Sequence, residues 1–345
     1  MPMPLMSNRT LCSRRPFSAV ASVLAPLLVL VTTVLQPGAA DDNTSFIDEI
    51  HNDWSGAVLD AANTIDGFFS TIPADEASQK TRLRVYMKLR HDGQDGTSLG
   101  GGLRGKLSLP RTEKRLHIIF GSDENEANRD LAEDDQNISL RIKPRSDKRR
   151  HKLRFDIGIR KRIGKYQPYG RVSHRKSYVT GGRSVPTLTN KLYYFTKAGF
   201  EYNGRIDFNR PISSHLFFRP TTEIRWYEEN PEMCNDGFCF DQYFTLFQRL
   251  KHEKQQAIAY DLNFFLRNQP ELELNDAEVK LRYRRMTARE WLFWEIEPGV
   301  RFPAEHDHDA TFRVTFRVEG VFGHNDAANI NQDFLPVQDP WKLSD

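Results

Sequence analysis

The run Arg82-Leu83-Arg84-Val85-Tyr86-Met87-Lys88-Leu89-Arg90 reverses its character at every residue. In an extended chain, successive side chains point to opposite faces. Leu83, Val85, Met87 and Leu89 therefore share one face, and Arg82, Arg84, Tyr86, Lys88 and Arg90 share the other. No helix sorts these letters in this way, so the run reads as a strand. The rhythm returns in Leu103, Leu107 and Leu109 against Arg104 and Lys106, and in Ile138, Leu140 and Ile142 against Arg141 and Lys143. It returns again in Leu153, Phe155, Ile157 and Ile159 against Arg154, Asp156 and Arg160. Phe312, Val314, Phe316 and Val318 against Arg313, Thr315, Arg317 and Glu319 close the pattern.

About fourteen such segments, each roughly ten residues long, fit between residues 82 and 322; twelve is the alternative, because Ser177 to Leu188 is irregular. A soluble sandwich also alternates, so the polar face decides. Pairing outward from a turn at Thr287–Arg289 sets Arg282 opposite Glu295 and Lys280 opposite Glu297, all on the face away from Val279, Leu281, Trp294 and Ile296. Opposite charges on neighbouring strands suit a shielded lumen beneath a lipid-facing band. Tyr283, Trp294, Phe302 and Phe322 lie near strand ends, where interfacial aromatics occur. The fold class is all-β: a transmembrane, antiparallel, up-and-down β-barrel, preceded by a short amphipathic helix.

Beyond the N-terminus no apolar run reaches the roughly 18 residues of a helical span, and only helices and closed barrels satisfy the backbone inside lipid. Residues 1–40 read as a cleavable signal peptide. Arg9, Arg14 and Arg15 form its positive region, Ala19 to Leu35 its apolar stretch, and Gly38-Ala39-Ala40 its cleavage site. Removing these three arginines takes the formal charge from +3 to about zero (3 minus 3), which argues against a nucleic-acid partner. Residues 41–80 change period: Ile47, Ile50, Trp54, Val58, Ala62, Ile65 and Phe69 recur at helical spacing, as in a periplasmic amphipathic leader helix that packs at the barrel mouth, rests on the inner lipid surface or plugs the lumen. Residues 81–323 form the barrel and 324–345 a C-terminal tail. An even strand number brings the chain back to the periplasm, with tight turns (Pro211–Ser214, Lys251–Lys254, Thr287–Arg289) inside and longer connections (Ser122–Gln136, Glu229–Phe238, Pro303–Asp309) outside. Cys234 and Cys239 are placed to close a small disulfide loop in an oxidising compartment.

The segments Ile206-Asp207-Phe208-Asn209-Arg210-Pro211, Leu281-Arg282-Tyr283-Arg284-Arg285 and Glu290-Trp291-Leu292-Phe293-Trp294-Glu295-Ile296-Glu297-Pro298-Gly299-Val300 add a resemblance. They resemble a group of uncharacterised proteobacterial outer-membrane barrel proteins. Leu107-Ser108-Leu109-Pro110-Arg111-Thr112-Glu113-Lys114-Arg115-Leu116 looks like part of the same pattern, which covers roughly residues 60–323. What it implies is location, the outer membrane of a Gram-negative bacterium, and fold. Such barrels usually end on an aromatic residue read by the barrel-assembly machinery; here Phe322 is followed by a tail ending at Asp345. Outer-membrane lipids, lipopolysaccharide and that machinery are the expected partners.

Chemical motifs are weak. Outer-membrane lipid hydrolases set His and Ser on one strand face, but Ser173 and Ser177 stand one and three residues from His174, on the opposite face. No catalytic residue is therefore assigned, and no cofactor or metal is expected. Glu305-His306-Asp307-His308-Asp309 has ligand-type side chains in a polar loop tip, and the acidic run Asp123-Glu124-Asn125-Glu126 lacks the glycine and spacing of a calcium loop. Lys143, Arg145, Lys148, Arg149, Arg150 and Lys152 cluster around a turn, suiting lipid headgroups or plain solvation. Gly100-Gly101-Gly102-Leu103-Arg104-Gly105 imitates a dinucleotide fingerprint but has no following helix, and reads as a turn entering a strand.

The expected lumen lining is Arg205, Asp207, Arg219, Glu223, Arg225, Asp261, Lys280, Arg282, Arg284, Glu295, Glu297, Arg313, Arg317 and Glu319. Hydrated, these charges would line a narrow porin or passive transport channel; filled and paired, they would make a closed barrel with a structural, envelope-integrity or surface-interaction role. An outer-membrane hydrolase is the third reading.

Overall fold

The computed structural model describes residues 48, 51–53, 55, 81–109, 116–121, 137–144, 151–162, 164–178, 184–213, 215–228, 238–250, 256–268 and 271–323. The signal peptide, most of the leader helix, the acidic run at 123–126, Arg145 to Arg150, Cys234 and the tail lie outside them. The chain falls into two compact units, Met1–Trp54 and Ser55–Asp345. In the first, residues 48 and 51–53 are helical. The second holds helical residue 55 and a closed sheet. Among the described residues no helix is long and apolar enough to cross a membrane.

The sheet has fourteen strands: β1 (Arg82–Asp92), β2 (Gly96–Leu109), β3 (Leu116–Phe120), β4 (Asn137–Ile142), β5 (His151–Arg162), β6 (Lys165–Ser177), β7 (Val185–Phe195), β8 (Gly199–Ser213), β9 (Leu216–Tyr227), β10 (Phe238–Arg249), β11 (Gln256–Asn268), β12 (Leu272–Met286), β13 (Leu292–Arg301) and β14 (Thr311–Gly323). Each pairs antiparallel with its neighbours in sequence, and β1 pairs with β14 from Arg82↔Gly323 to Asp92↔Arg313. This last ladder removes the two free edges an open meander would have. The irregular stretch that left twelve strands open, Ser177 to Leu188, holds the last residue of β6, the connection and the first residues of β7.

Burial is inverted relative to a soluble protein. Ile138, Leu153, Phe155, Ile157, Ile159, Phe208, Val279 and Phe312 are exposed on the outer face, whereas Arg84, Arg141, Asp156, Arg225, Asp241, Arg284 and Glu295 are buried on the inner one. A continuous apolar belt around buried charges is costly in water and matches a lipid surroundings. Polar side chains on the outer face bond to each other: Thr222 Oγ1 donates to Gln242 Oε1 at 2.7 Å, and Tyr202 Oη donates to Asn190 Oδ1 at 2.8 Å. Aromatic rings gather near one end, where Tyr283 meets Trp294 edge-on at 5.3 Å and Trp291 lies 6.2 Å from Phe322.

Two sequence expectations are corrected by this architecture. Gly100 to Gly105 do not form a turn; they lie within β2, whose turn with β1 falls at residues 93–95. The glycines make room for side chains of β1: a Cβ at Gly102 would come within 2.6 Å of Tyr86 Oη, and one at Gly100 within 3.0 Å of Lys88 Cε. Connection length also does not sort by end. The three expected tight turns do share one end, but the opposite end, besides its long connections, carries short ones at 93–95, 163–164, 196–198 and 269–271.

Candidate functional site: the charged lumen wall

Alternation sends every second residue inward, so the inner wall can be read strand by strand. All fourteen expected lumen residues lie on it. They form local groups, paired along the wall. Arg205 donates to Asp207 at 2.6 Å, which also accepts from Thr221 Oγ1 at 2.7 Å, while Arg219 turns to Asn209 at 2.7 Å. Arg225 pairs with Asp241, and Arg267 reaches the same carboxylate at 2.9 Å. Asp261 accepts from Arg282 at 2.5 Å and from Thr245 at 2.7 Å. Asp92 at the end of β1 receives Arg313 at 2.7 Å, with Arg301 at 4.0 Å.

The densest group spans β12, β13, β14 and β1. Arg284, 0% exposed, donates to Glu319 at 2.7 Å and to Glu295 at 3.4 Å, with its guanidinium 4.7 Å from the Phe293 ring centre. Arg317 lies 3.9 Å from Glu295 and over the Tyr86 ring at 4.9 Å, and Arg84 lies 3.9 Å from Glu319. The sequence placed Arg282 opposite Glu295; the structure pairs Arg284 with it instead, and sets Lys280 opposite Gly299 rather than Glu297. The cause is the turn. It runs from Thr287 to Trp291, closed by Thr287 N donating to Leu292 O, and is two residues longer than Thr287–Arg289. A slip of two keeps every side chain on its face and changes only its partner.

Sequence reasoning missed the other half of the wall. Among the described residues the inner face of β2 to β7 carries Arg104, Lys106, Arg141, Lys152, Arg154, Arg160, Arg162, Lys165, Arg171, Arg175 and Lys191, and a single carboxylate, Asp156. Asp156 is shared by Arg141 at 2.8 Å and Arg171 at 2.6 Å. Arg162 reaches Glu201 on β8 at 2.9 Å. On β8 to β14 and β1, by contrast, arginines and lysines alternate with about as many carboxylates. The signal was visible in the same alternation. Lys152 reads from the sequence as part of a turn cluster suited to lipid headgroups or plain solvation, but it stands on the inner face of β5, in register with Arg175.

Accessibility does not divide the wall in the same place. Buried charges line both arcs, Arg141, Asp156, Arg160, Arg171 and Lys191 on one and Arg205, Asp241, Arg284 and Glu295 on the other, and half-buried ones also occur on both, such as Lys106, Arg154, Lys280 and Arg313. Between the two arcs, Tyr169, Tyr193 and Phe195 stack on the inner wall, with Arg160 and Arg171 over the Tyr193 ring at 5.1 and 5.4 Å. Such pairs hold guanidinium groups flat against the wall.

The weaker motifs are also placed. Ser173 and Ser177 face inward, Ser177 Oγ lying 3.1 Å from Thr187 Oγ1, while His174 faces outward, 5.8 Å from the His151 ring. His308 Nδ1 lies 2.9 Å from Phe302 O, and among the described residues no cluster of three or more His, Cys, Asp or Glu side chains is set to hold a metal. Cys239 is disulfide-bonded, its partner lying outside the described residues.

No family model and no curated protein matches the chain. Among solved structures it is similar to OprB of Pseudomonas putida (8% identity, TM-score 0.48, covering 70% of this chain and 94% of that one). It is also similar to a bacterial polysaccharide outer membrane secretin (11%, 0.44, 71% and 99%) and to the outer membrane channel DcaP of Acinetobacter baumannii (10%, 0.41, 73% and 100%). At these identities and scores they add nothing to the argument from the barrel itself.

Proposed function

We propose that the chain is a passive channel in the outer membrane of a Gram-negative bacterium, a member of the proteobacterial barrel group its segments resemble, with its apolar belt in contact with outer-membrane lipid. One observation carries the reading. Among the described residues the lumen ion pairs run along the wall, within a strand or between strands one to three apart, and none crosses the bore. Fourteen strands about 4.8 Å apart and tilted by roughly 40° enclose a bore of about 25–28 Å between backbones. Charges paired sideways hold the wall in shape without bridging the bore, an arrangement that supports a pore.

A second reading, a closed structural barrel, draws on the near-complete burial of the Arg284, Glu295 and Glu319 group. Single-channel recording in planar bilayers separates the two. The refolded full chain is expected to give stepwise conductance; folded protein that carries no current would leave the structural reading.

A further inference from the structure

The outer face of the barrel carries a charge pattern of its own. Register fixes which side chains look outward, and among the described strand residues no Asp or Glu does so. The outward charges are Lys161, Lys176, Arg210 and Arg285, with His151 and His174 beside Lys176. On a surface that meets lipid, such groups are tolerated where hydrocarbon gives way to headgroups.

The spacing on β5 fits that placement. Between His151 and Lys161 the outward residues are Leu153, Phe155, Ile157 and Ile159, all exposed. Ten residues at about 3.3 Å each, tilted by roughly 40°, rise about 25 Å, the height of an apolar belt. His151 therefore stands at the headgroup level of the end that holds the tight turns, and Lys161 at that of the other.

Three basic side chains meet at the first of these levels. His151 and Lys176 are cross-strand partners, His174 lies one pair deeper opposite Leu153, and the two imidazole centres are 5.8 Å apart. Lys176 Nζ lies 4.7 Å from the ring centre of Tyr178, which is exposed. Leu153, Phe155 and Val172 continue the same face into the belt. A lysine and two imidazoles, each able to donate an N–H, suit a phosphate oxygen, and the apolar strip suits acyl chains. With no carboxylate facing outward, the ammonium of a zwitterionic headgroup finds no partner on this wall, so the fit is to a lipid of net negative charge.

We propose, resting on the membrane placement above, that His151, His174, Lys176 and Tyr178 seat the phosphate of an anionic phospholipid in the leaflet at this end, its acyl chains lying on Leu153, Phe155 and Val172. Lys176 supplies the charge, and the imidazoles orient the phosphate by hydrogen bonds.

The test uses the folded full chain. Refolding into phosphatidylcholine vesicles, followed by heat-modifiable mobility on gels, checks the membrane placement first; a chain that does not insert removes that reading. Native mass spectrometry in neutral detergent then compares retained dioleoyl phosphatidylglycerol with dioleoyl phosphatidylcholine. A basic side chain at a lipid surface contributes about fivefold in affinity, so phosphatidylglycerol is expected to bind at least about fivefold more tightly. Lys176→Gln with His151→Gln should abolish the preference, and Lys176→Gln alone is the replacement if the double variant does not fold. Arg285→Gln removes a charge from the same end of the outer face, on β12, and should leave the preference unchanged. Excess inorganic phosphate, which lacks acyl chains, should not displace the lipid. Equal retention of the two lipids by a chain that inserts, or a preference untouched by the β5 and β6 variants, overturns the seat and leaves the membrane placement standing. An equal loss in Arg285→Gln overturns it in favour of diffuse attraction, and displacement by inorganic phosphate overturns the lipid as occupant.

Discussion

Arg284 offers the sharpest check on how the lumen is held together. Its guanidinium is fully buried and bridges Glu319 at 2.7 Å and Glu295 at 3.4 Å. Replacing it with Met keeps much of the volume and the contact with Phe293 but strands two buried carboxylates. Removing one partner of a buried pair costs about 3–5 kcal/mol, chiefly because the other charge stays desolvated. Here the loss is smaller, since Glu295 keeps Arg317 and Glu319 keeps Arg84, each at 3.9 Å. We expect Arg284→Met to destabilise the barrel by about 2–3 kcal/mol, a roughly 30- to 150-fold change in the folding equilibrium. Urea unfolding in lipid vesicles, followed by tryptophan fluorescence, measures it. Adding Glu319→Gln removes the stranded charge, so the double variant should recover about 1–2 kcal/mol. A single variant within about 0.5 kcal/mol of the parent, or a double-mutant cycle that closes to zero, would refute the claim that these buried charges depend on one another.

Other substitutions probe the two faces and the closure of the sheet. Gly158→Val on the inner face of β5 pushes a Cβ against the β4 backbone, 2.6 Å from Ser139 Cβ and 2.7 Å from its Cα; we expect loss of the folded, heat-modifiable form, and a variant that folds like the parent would show that β4 and β5 are not packed this closely. Ile157→Arg, one residue earlier at a side chain 65% exposed, should cost about 2–4 kcal/mol in bilayers; a neutral outcome there would place Ile157 outside the apolar belt.

Much of this fold was legible without coordinates, because a strand's period of two is local. Leu83, Val85 and Met87 could be separated from Arg84, Tyr86 and Lys88 by counting, and the same count assigned faces to Arg225, Asp261, Glu295 and Arg317. Repeated segments of spanning length narrowed the number of strands to fourteen or twelve, and the closed sheet has fourteen. Partnership did not, because it depends on where a turn begins and ends. Two extra residues between Thr287 and Trp291 moved Glu295 from Arg282 to Arg284 while leaving every face intact.

What the sequence by itself determined is therefore the alternation and which residues look inward, with the strand count narrowed to fourteen or twelve. Only the tertiary structure decided how those residues are distributed around the bore. Lys106, Arg154 and Arg175 lie far apart in the chain and are unremarkable singly; closure of β1 on β14 sets them on one arc, opposite a wall of paired charges. The same closure brings Arg84 to Glu319 and Asp92 to Arg313, from the two ends of the barrel sequence. Periodicity is a property of neighbours along the chain, whereas charge balance across a lumen exists only once the sheet has closed.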